Sequence, residues 1–274
     1  MIKMIFIKML FIMSYTFIGY LILIISLFIF QRSLIYFPEK KEIESSYFYD
    51  TGLKEISFTT SDGLVLKSWI KKPKYKDGYT ILIFHGNGGH VGHRVNKFKP
   101  FIDAGYGLFF LEYRGYANNP GKSSEKGLYN DAIAAIEFLS EKKVTSKKII
   151  LYGESLGCGI AARLSTESVY AATILEAPYT SINDVAQKHY WYLPAKWLVL
   201  DQYNILDIVK KIKSPLLVIH GEKDNVINIS FGKKVFKTAN QPKESLFIPE
   251  AGHNNLFEFD VLKKILFFLE KLKK

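Results

Sequence analysis

Six short runs, residues 80–84, 108–111, 149–151, 172–175, 216–219 and 246–248, are apolar at almost every position. A strand with one wet face alternates polar and apolar residues. A strand apolar throughout needs cover on both faces, as in a parallel sheet sandwiched between helices. Helix-length segments separate the runs. Residues 124–139 put Leu128, Ala132, Ala135, Ile136 and Leu139 on one face, and residues 255–272 do the same with Leu256, Phe259, Leu262, Ile265, Leu266 and Leu269. Ahead of them, residues 55–59 and 64–70 alternate about Ser61-Asp62-Gly63, residue types that suit a tight turn and predict an antiparallel hairpin. The expectation is an α/β chain with a doubly wound, mostly parallel sheet.

The amino-terminal region obeys a different rule. Residues 9–30 carry no charge, and at helical rise such a stretch spans about 33 Å, enough for a bilayer core of about 30 Å. Lys3 and Lys8 precede it, while Arg32, Lys40 and Lys41 follow. No small-residue cleavage site closes the stretch, so it reads as a retained, single-pass membrane anchor. The flanking positive charges nearly balance and leave the orientation open. The expected organisation is an anchor over residues 1–31, a linker over 32–50 and a catalytic domain over 51–274. Residues 179–206 are too long for a plain connection and carry Tyr190, Trp191, Tyr192, Trp197 and Tyr203, which suits a small cap, or apolar lid, over a site.

Composition removes other classes. Hydrophobic residues make up 48% of the chain, which excludes a disordered or collagen-like protein. The net charge of +11 rests on lysine, with arginine only at positions 32, 94, 114 and 163. Planar, bidentate phosphate recognition favours arginine, and the lysines are scattered, so no nucleic-acid partner is expected. The one cysteine, Cys158, allows neither an intrachain disulfide nor a multi-cysteine metal site and reads as core packing.

Chemistry enters at Gly153-Glu154-Ser155-Leu156-Gly157, between the run at 149–152 and a small-residue helix at 158–164. A serine on a sharp strand-to-helix turn needs glycines on either side, and the following helix turns its positive end toward the hydroxyl. Such a serine requires a base, and the base an orienting acid. Asp224 and His253 follow the runs at 216–219 and 246–248, on the sheet edge expected to hold Ser155. Glu176 is the second-ranked acid. Oxyanion donors are expected from the backbone N–H of Leu156 and of Asn87, the latter in the loop His85-Gly86-Asn87-Gly88-Gly89. No cofactor is implied. His90 and His93 lie near His85, but no carboxylate or cysteine accompanies them in sequence, so no metal site is expected. His189 and His220 read as structural.

Taken together, the HGNGG loop, the segment EYRGYANNPGKSSEKGLYNDAIAAIEFL at 112–139, GESLG, LVIHGEKDNVI and AGHNN resemble one branch of the α/β-hydrolase superfamily. They are similar to the small membrane-anchored hydrolases of the bud-emergence (Bem) type and their bacterial relatives. The resemblance extends to the anchor, to the RSLIYFP exit at 32–38 and to LPAKWLVLDQYN from Leu193. It implies an α/β-hydrolase fold, Ser155, Asp224 and His253 as a catalytic triad, Asn87 and Leu156 as the oxyanion hole, and an esterase-like or thioesterase-like activity. The run Tyr116-Ala117-Asn118-Asn119-Pro120-Gly121 departs from the Gly-rich pattern after YRG and bears on substrate size. The expected partner is a small-molecule or lipid-like acyl substrate. The alternatives are a serine peptidase on the same fold, or a catalytically idle membrane-bound interaction protein.

Overall fold

The computed structural model describes residues 2–273. Helix α1 (Ile2–Ile35) leads to a two-residue strand β1 (Phe37–Pro38) and then to the hairpin β2 (Lys54–Thr59) and β3 (Val65–Lys71). There follow β4 (Thr80–Phe84), the short β5 (Gly88–Gly89), α2 (Val95–Asp103), β6 (Gly107–Leu111), α3 (Glu125–Glu141), β7 (Ile149–Glu154), α4 (Gly157–Leu164) and β8 (Ala172–Glu176). Three helices, α5 (Ile182–His189), α6 (Ala195–Leu198) and α7 (Ile205–Ile208), fill the aromatic stretch. Strand β9 (Leu216–Gly221), α8 (Ile229–Thr238), β10 (Lys243–Ile248) and α9 (Val261–Glu270) complete the order.

Eight strands form one sheet in the order β10-β9-β8-β7-β4-β6-β3-β2, antiparallel only where β3 meets β2 and β6. Both faces are covered, which is why the runs are apolar throughout. Leu82, Phe84, Phe109, Leu111, Leu151 and Val218 pack on one side with Leu128, Ala132 and Ile160 from α3 and α4. Their neighbours Ile81, Ile83, Leu108, Phe110, Ile150 and Ile219 pack on the other with Phe98 and Phe101 of α2 and Ile265 and Leu269 of α9. Successive side chains alternate faces, so each strand feeds both cores.

Arg114, buried, ties the hairpin to the sheet through two ion pairs. Arg114 donates from Nε to Asp131 of α3 at 2.7 Å and from both terminal nitrogens to Asp62 in the hairpin turn at 2.6 and 2.9 Å. Two charges so placed on one fork hold β6, α3 and the hairpin in register.

Two expectations change. The carboxy-terminal helix does not run from 255 to 272. Residues 256–258 form a 3₁₀ turn, Asp260 adopts a left-handed conformation at φ 56°, and α9 starts at Val261. Aspartate tolerates that conformation, and the break lets Leu256 and Val261 both be buried across a change of direction. The residues read as a linker are docked on the domain: Tyr36 and Ile43 are buried, and β1 pairs in parallel with β5.

Helix α1 is long and apolar enough to cross a membrane, with its side chains exposed along nearly its full length. Over its carboxyl-terminal half, from Tyr20 onward, one face meets the aromatic stretch. Tyr20 donates to the Tyr192 carbonyl at 2.9 Å, Gln31 bonds the Leu198 carbonyl and the Leu200 N–H, and Arg32 donates to Asp201 at 2.9 Å. Tyr36 joins the cluster through Asp201 and Tyr203.

Candidate active site

Parallel strands bring their carboxyl ends to one edge, and the site is built from four of them. Strand β7 ends in the turn that carries Ser155, whose φ is +51°, a left-handed conformation rare for a residue with a side chain. The flanking glycines are required by contact. A Cβ on Gly153 would stand 2.6 Å from the Gly157 carbonyl oxygen, and one on Gly157 would collide with the Phe84 carbonyl. Ser155 N–H donates to the Glu176 carbonyl at 2.8 Å, and the Tyr179 hydroxyl donates to the Leu156 carbonyl at 3.0 Å, fixing the turn from β8 and the loop after it.

The loops after β9 and β10 are laced together, Lys223 N–H donating to the Ala251 carbonyl at 2.9 Å. This lacing brings Asp224 and His253 to the serine. His253 Nε2 lies 3.1 Å from Ser155 Oγ, and His253 Nδ1 lies 2.7 Å from Asp224 Oδ2. The other Asp224 oxygen accepts the N–H groups of Val226 and Ile227 at 2.9 and 2.7 Å. His220, buried, places Nε2 3.2 Å from Asp224 Oδ2 and 2.8 Å from the Ile227 carbonyl. Burial opposes ionisation of Asp224, but the bonds from His220, His253 and the backbone outweigh it and hold the carboxyl well below the usual range.

The loop after β4 lies beside this cluster, Gly86 facing the Ser155 Cβ. Asn87 is held on three sides: its amide donates to the Ile35 carbonyl at 2.9 Å, and its carbonyl accepts from Phe37 N–H and the Tyr116 hydroxyl. Among the described residues, neither the Asn87 nor the Leu156 backbone N–H is used in a hydrogen bond. Tyr116, in the run that departs from the Gly-rich pattern, is buried and braces this loop.

The remaining sequence candidates fall elsewhere. Glu176 does not reach His253; it accepts from Lys97 at 2.8 Å and from the Tyr152 hydroxyl. His85 is buried against Glu112 at 3.1 Å, and His189 bonds the Val226 carbonyl. Cys158 is buried, its thiol turned to the Gly153 and Glu176 carbonyls. One expectation is overturned: His90 and His93 do have a carboxylate beside them, Glu39, delivered by the docked linker from far upstream in the chain. Burial and the neighbouring His93 hold the His90 imidazole below its usual pKa.

Lys97, which the sequence reading did not single out, lies beneath the serine turn. Lys97 of α2 bridges Glu154 at 2.8 Å and Glu176 at 2.7 Å, with Arg94 adding a longer contact to Glu154. Burial disfavours the Lys97 charge, yet the two carboxylates raise its pKa, and Lys97 and Arg94 hold Glu154 low against the same burial. The signals in the sequence are the acidic residue within GESLG and Glu176 at the end of its strand.

Comparison with known proteins agrees with this architecture. The serine aminopeptidase family S33 matches residues 76–200, a span that includes Ser155 and stops short of Asp224 and His253. An uncharacterised Mycobacterium tuberculosis protein, Rv2307c, is 33% identical over 227 residues, 82% of this chain and 81% of its own. Protein bem46 of Schizosaccharomyces pombe is 29% identical over 246 residues, covering 84% and 82%. The lysophosphatidylserine lipase ABHD12 of Danio rerio is 33% identical over 195 residues, covering 64% of this chain and 51% of the lipase. Among solved structures, the Pyrococcus furiosus esterase Pf2001 superposes with a TM-score of 0.69 at 18% identity, over 88% of this chain and 98% of the esterase, and so supports the fold. The chain belongs to the α/β-hydrolase superfamily, as a hydrolase with relatives of the Bem type.

Proposed function

We propose that the protein is a serine hydrolase that cleaves a carboxylic ester or thioester through an acyl-enzyme. The observation that carries this reading is the continuous relay from Ser155 through His253 to Asp224, at 3.1 and 2.7 Å. Ser155 Oγ attacks the acyl carbon while His253 Nε2 takes its proton, and Asp224, ionised, holds Nδ1–H and stabilises the imidazolium. The negative charge that develops on the carbonyl oxygen meets the free N–H groups of Leu156 and Asn87. Collapse breaks the bond to the leaving oxygen or sulfur, which takes the proton from His253. Water then attacks the acyl-serine with His253 again as base, releasing the acid and restoring the hydroxyl.

The acyl group is lipid-like in this reading, because helix α1 anchors the enzyme in a membrane and the cap lies against it. The face of α1 from Tyr20 to Gln31 meets residues 192–200, while Leu21, Ile22, Ile25, Ile29 and Phe30 of that stretch are apolar and exposed. Tyr190, Trp191, Tyr192 and Trp197 are likewise exposed. Trp197, next to the Leu198 carbonyl that Gln31 bonds at the end of the apolar stretch, suits the headgroup region, where an apolar ring and a polar tip are both accommodated. The relative named as a lysophosphatidylserine lipase supports an acyl-lipid substrate.

The test is turnover of full-length enzyme in detergent on graded acyl esters, acyl thioesters and peptides. Hydrolysis of the acyl substrates that disappears in Ser155→Ala is the expected result. Cleavage confined to peptides would move the assignment to a peptidase, and undiminished ester hydrolysis in Ser155→Ala would remove the serine from the mechanism. Separately, full-length protein is expected to stay in the membrane pellet after alkaline extraction; release into the soluble fraction overturns the anchor.

A further inference from the structure

We propose that Glu39, His90 and His93 form a binding site for a divalent transition-metal ion with the ligand preferences of zinc. The ligand atoms of the three side chains all lie within 4.8 Å of one another. Glu39 Oε2 is 3.7 Å from His90 Nε2 and 3.5 Å from His93 Nε2. Those separations are too long for N–H···O hydrogen bonds, which stand at about 2.7–3.2 Å. They are close to what a shared ion requires: zinc bonds of about 2.0–2.1 Å in a tetrahedral set put neighbouring ligand atoms about 3.3 Å apart. Closure onto an ion shortens the two Glu39 separations by a few tenths of an ångström and draws together two imidazole nitrogens that lie no more than 4.8 Å apart.

The backbone supplies the arrangement. His90 and His93 bracket a 3₁₀ turn, with His93 N–H donating to the His90 carbonyl at 3.2 Å. Three residues per turn superimpose side chains at i and i+3, and here the two rings lie side by side, centroids 4.0 Å apart and planes 30° apart. Neighbouring glycines leave room for the rings. A Cβ on Gly92 would come within 2.8 Å of the His90 ring, and one on Gly89 within 2.5 Å of His93 Nδ1. The backbone that carries the carboxylate is pinned on both sides: Glu39 N–H donates to the Gly89 carbonyl at 3.2 Å, and the Glu39 carbonyl accepts from Ala117 N–H at 2.8 Å. Tyr47 closes one side, edge-on to both imidazoles.

Two imidazole nitrogens and one carboxylate are borderline ligands suited to zinc and its neighbours, with a fourth position left for water. The His90 side chain is buried, whereas those of His93 and Glu39 are 38% and 42% exposed, which gives the ion a way in. A bound ion would clip the exit of the anchor to the turn that follows Gly88-Gly89, the same loop that presents Asn87.

The test uses full-length protein in detergent micelles, stripped with a chelator and titrated with Zn²⁺ by calorimetry, then with Co²⁺ by visible absorption. The expected result is about one ion per chain, with Co²⁺ bands of a low-coordination site. Glu39→Gln and His93→Ala each weaken binding by about tenfold or more, while His253→Ala leaves it unchanged. Glu39→Gln preserves size and so separates a lost ligand from a lost fold. Absence of binding in the unaltered protein, unchanged affinity in both ligand variants, or loss of binding in His253→Ala would each overturn the proposal.

Discussion

The Ser155 cluster and the end of helix α1 are both assembled from distant parts of the chain, yet by different means. Ser155, Asp224 and His253 each sit a few residues beyond a parallel strand, so the sheet delivers them to one edge whatever the intervening sequence does. Gln31, Arg32 and Tyr36 meet Leu198, Asp201 and Tyr203 by docking of a helix end onto irregular backbone, with no ladder to set the register. The first kind of site is rigid and chemical. The second is a joint, and its effects should appear in stability and placement ahead of turnover.

Substitutions can break that division. Ser155→Ala should lower ester hydrolysis by about a million-fold, with the fold intact by circular dichroism. Asp224→Asn should cost about ten-thousand-fold in kcat, because the imidazole loses its orienting anion. Lys97→Met strands two carboxylates under the serine turn and should lower stability by about 3 kcal/mol, measured by denaturant unfolding. Asp201→Asn, whose partner Arg32 is half exposed, should cost only about 1 kcal/mol and leave kcat almost unchanged. A loss of kcat in Asp201→Asn comparable to that in Asp224→Asn would show that the joint belongs to the catalytic machinery.

Acid sharpens the same comparison. The folded-state pKa of Asp224 is depressed, so its contribution to stability is complete above the unfolded value of about 4 and is lost as pH falls through the folded value. Unfolding midpoints of the unaltered protein and of Asp224→Asn should therefore converge as pH is lowered below 4. Midpoints that stay equally separated in strong acid would contradict that linkage.

The difference between the two regions also decides what the sequence could reveal. Apolar runs at 80–84, 149–151 and 216–219 announce strands, and a strand followed by Gly-x-Ser-x-Gly, Asp224 or His253 locates chemistry at its end. Arg32 and Asp201 lie 169 residues apart with no pattern linking them. Glu39 reaches His90 and His93 only because β1 pairs with β5, and a two-residue strand leaves no periodicity to read. Lys97 sits on an amphipathic helix where a lysine ordinarily faces water, and its burial between Glu154 and Glu176 follows from tertiary packing. The break at Asp260 was hidden because Leu256 and Phe259 continue the apolar spacing of α9 across it.

Every step of the proposed reaction depends on Ser155 as the nucleophile. A fluorophosphonate forms a stable bond only with an activated serine, and its site can be mapped by mass spectrometry of the full-length protein in detergent. One adduct per chain is expected, on the peptide containing Ser155 and absent from Ser155→Ala. Labelling at a different serine, or equal labelling of the alanine variant, would contradict that assignment.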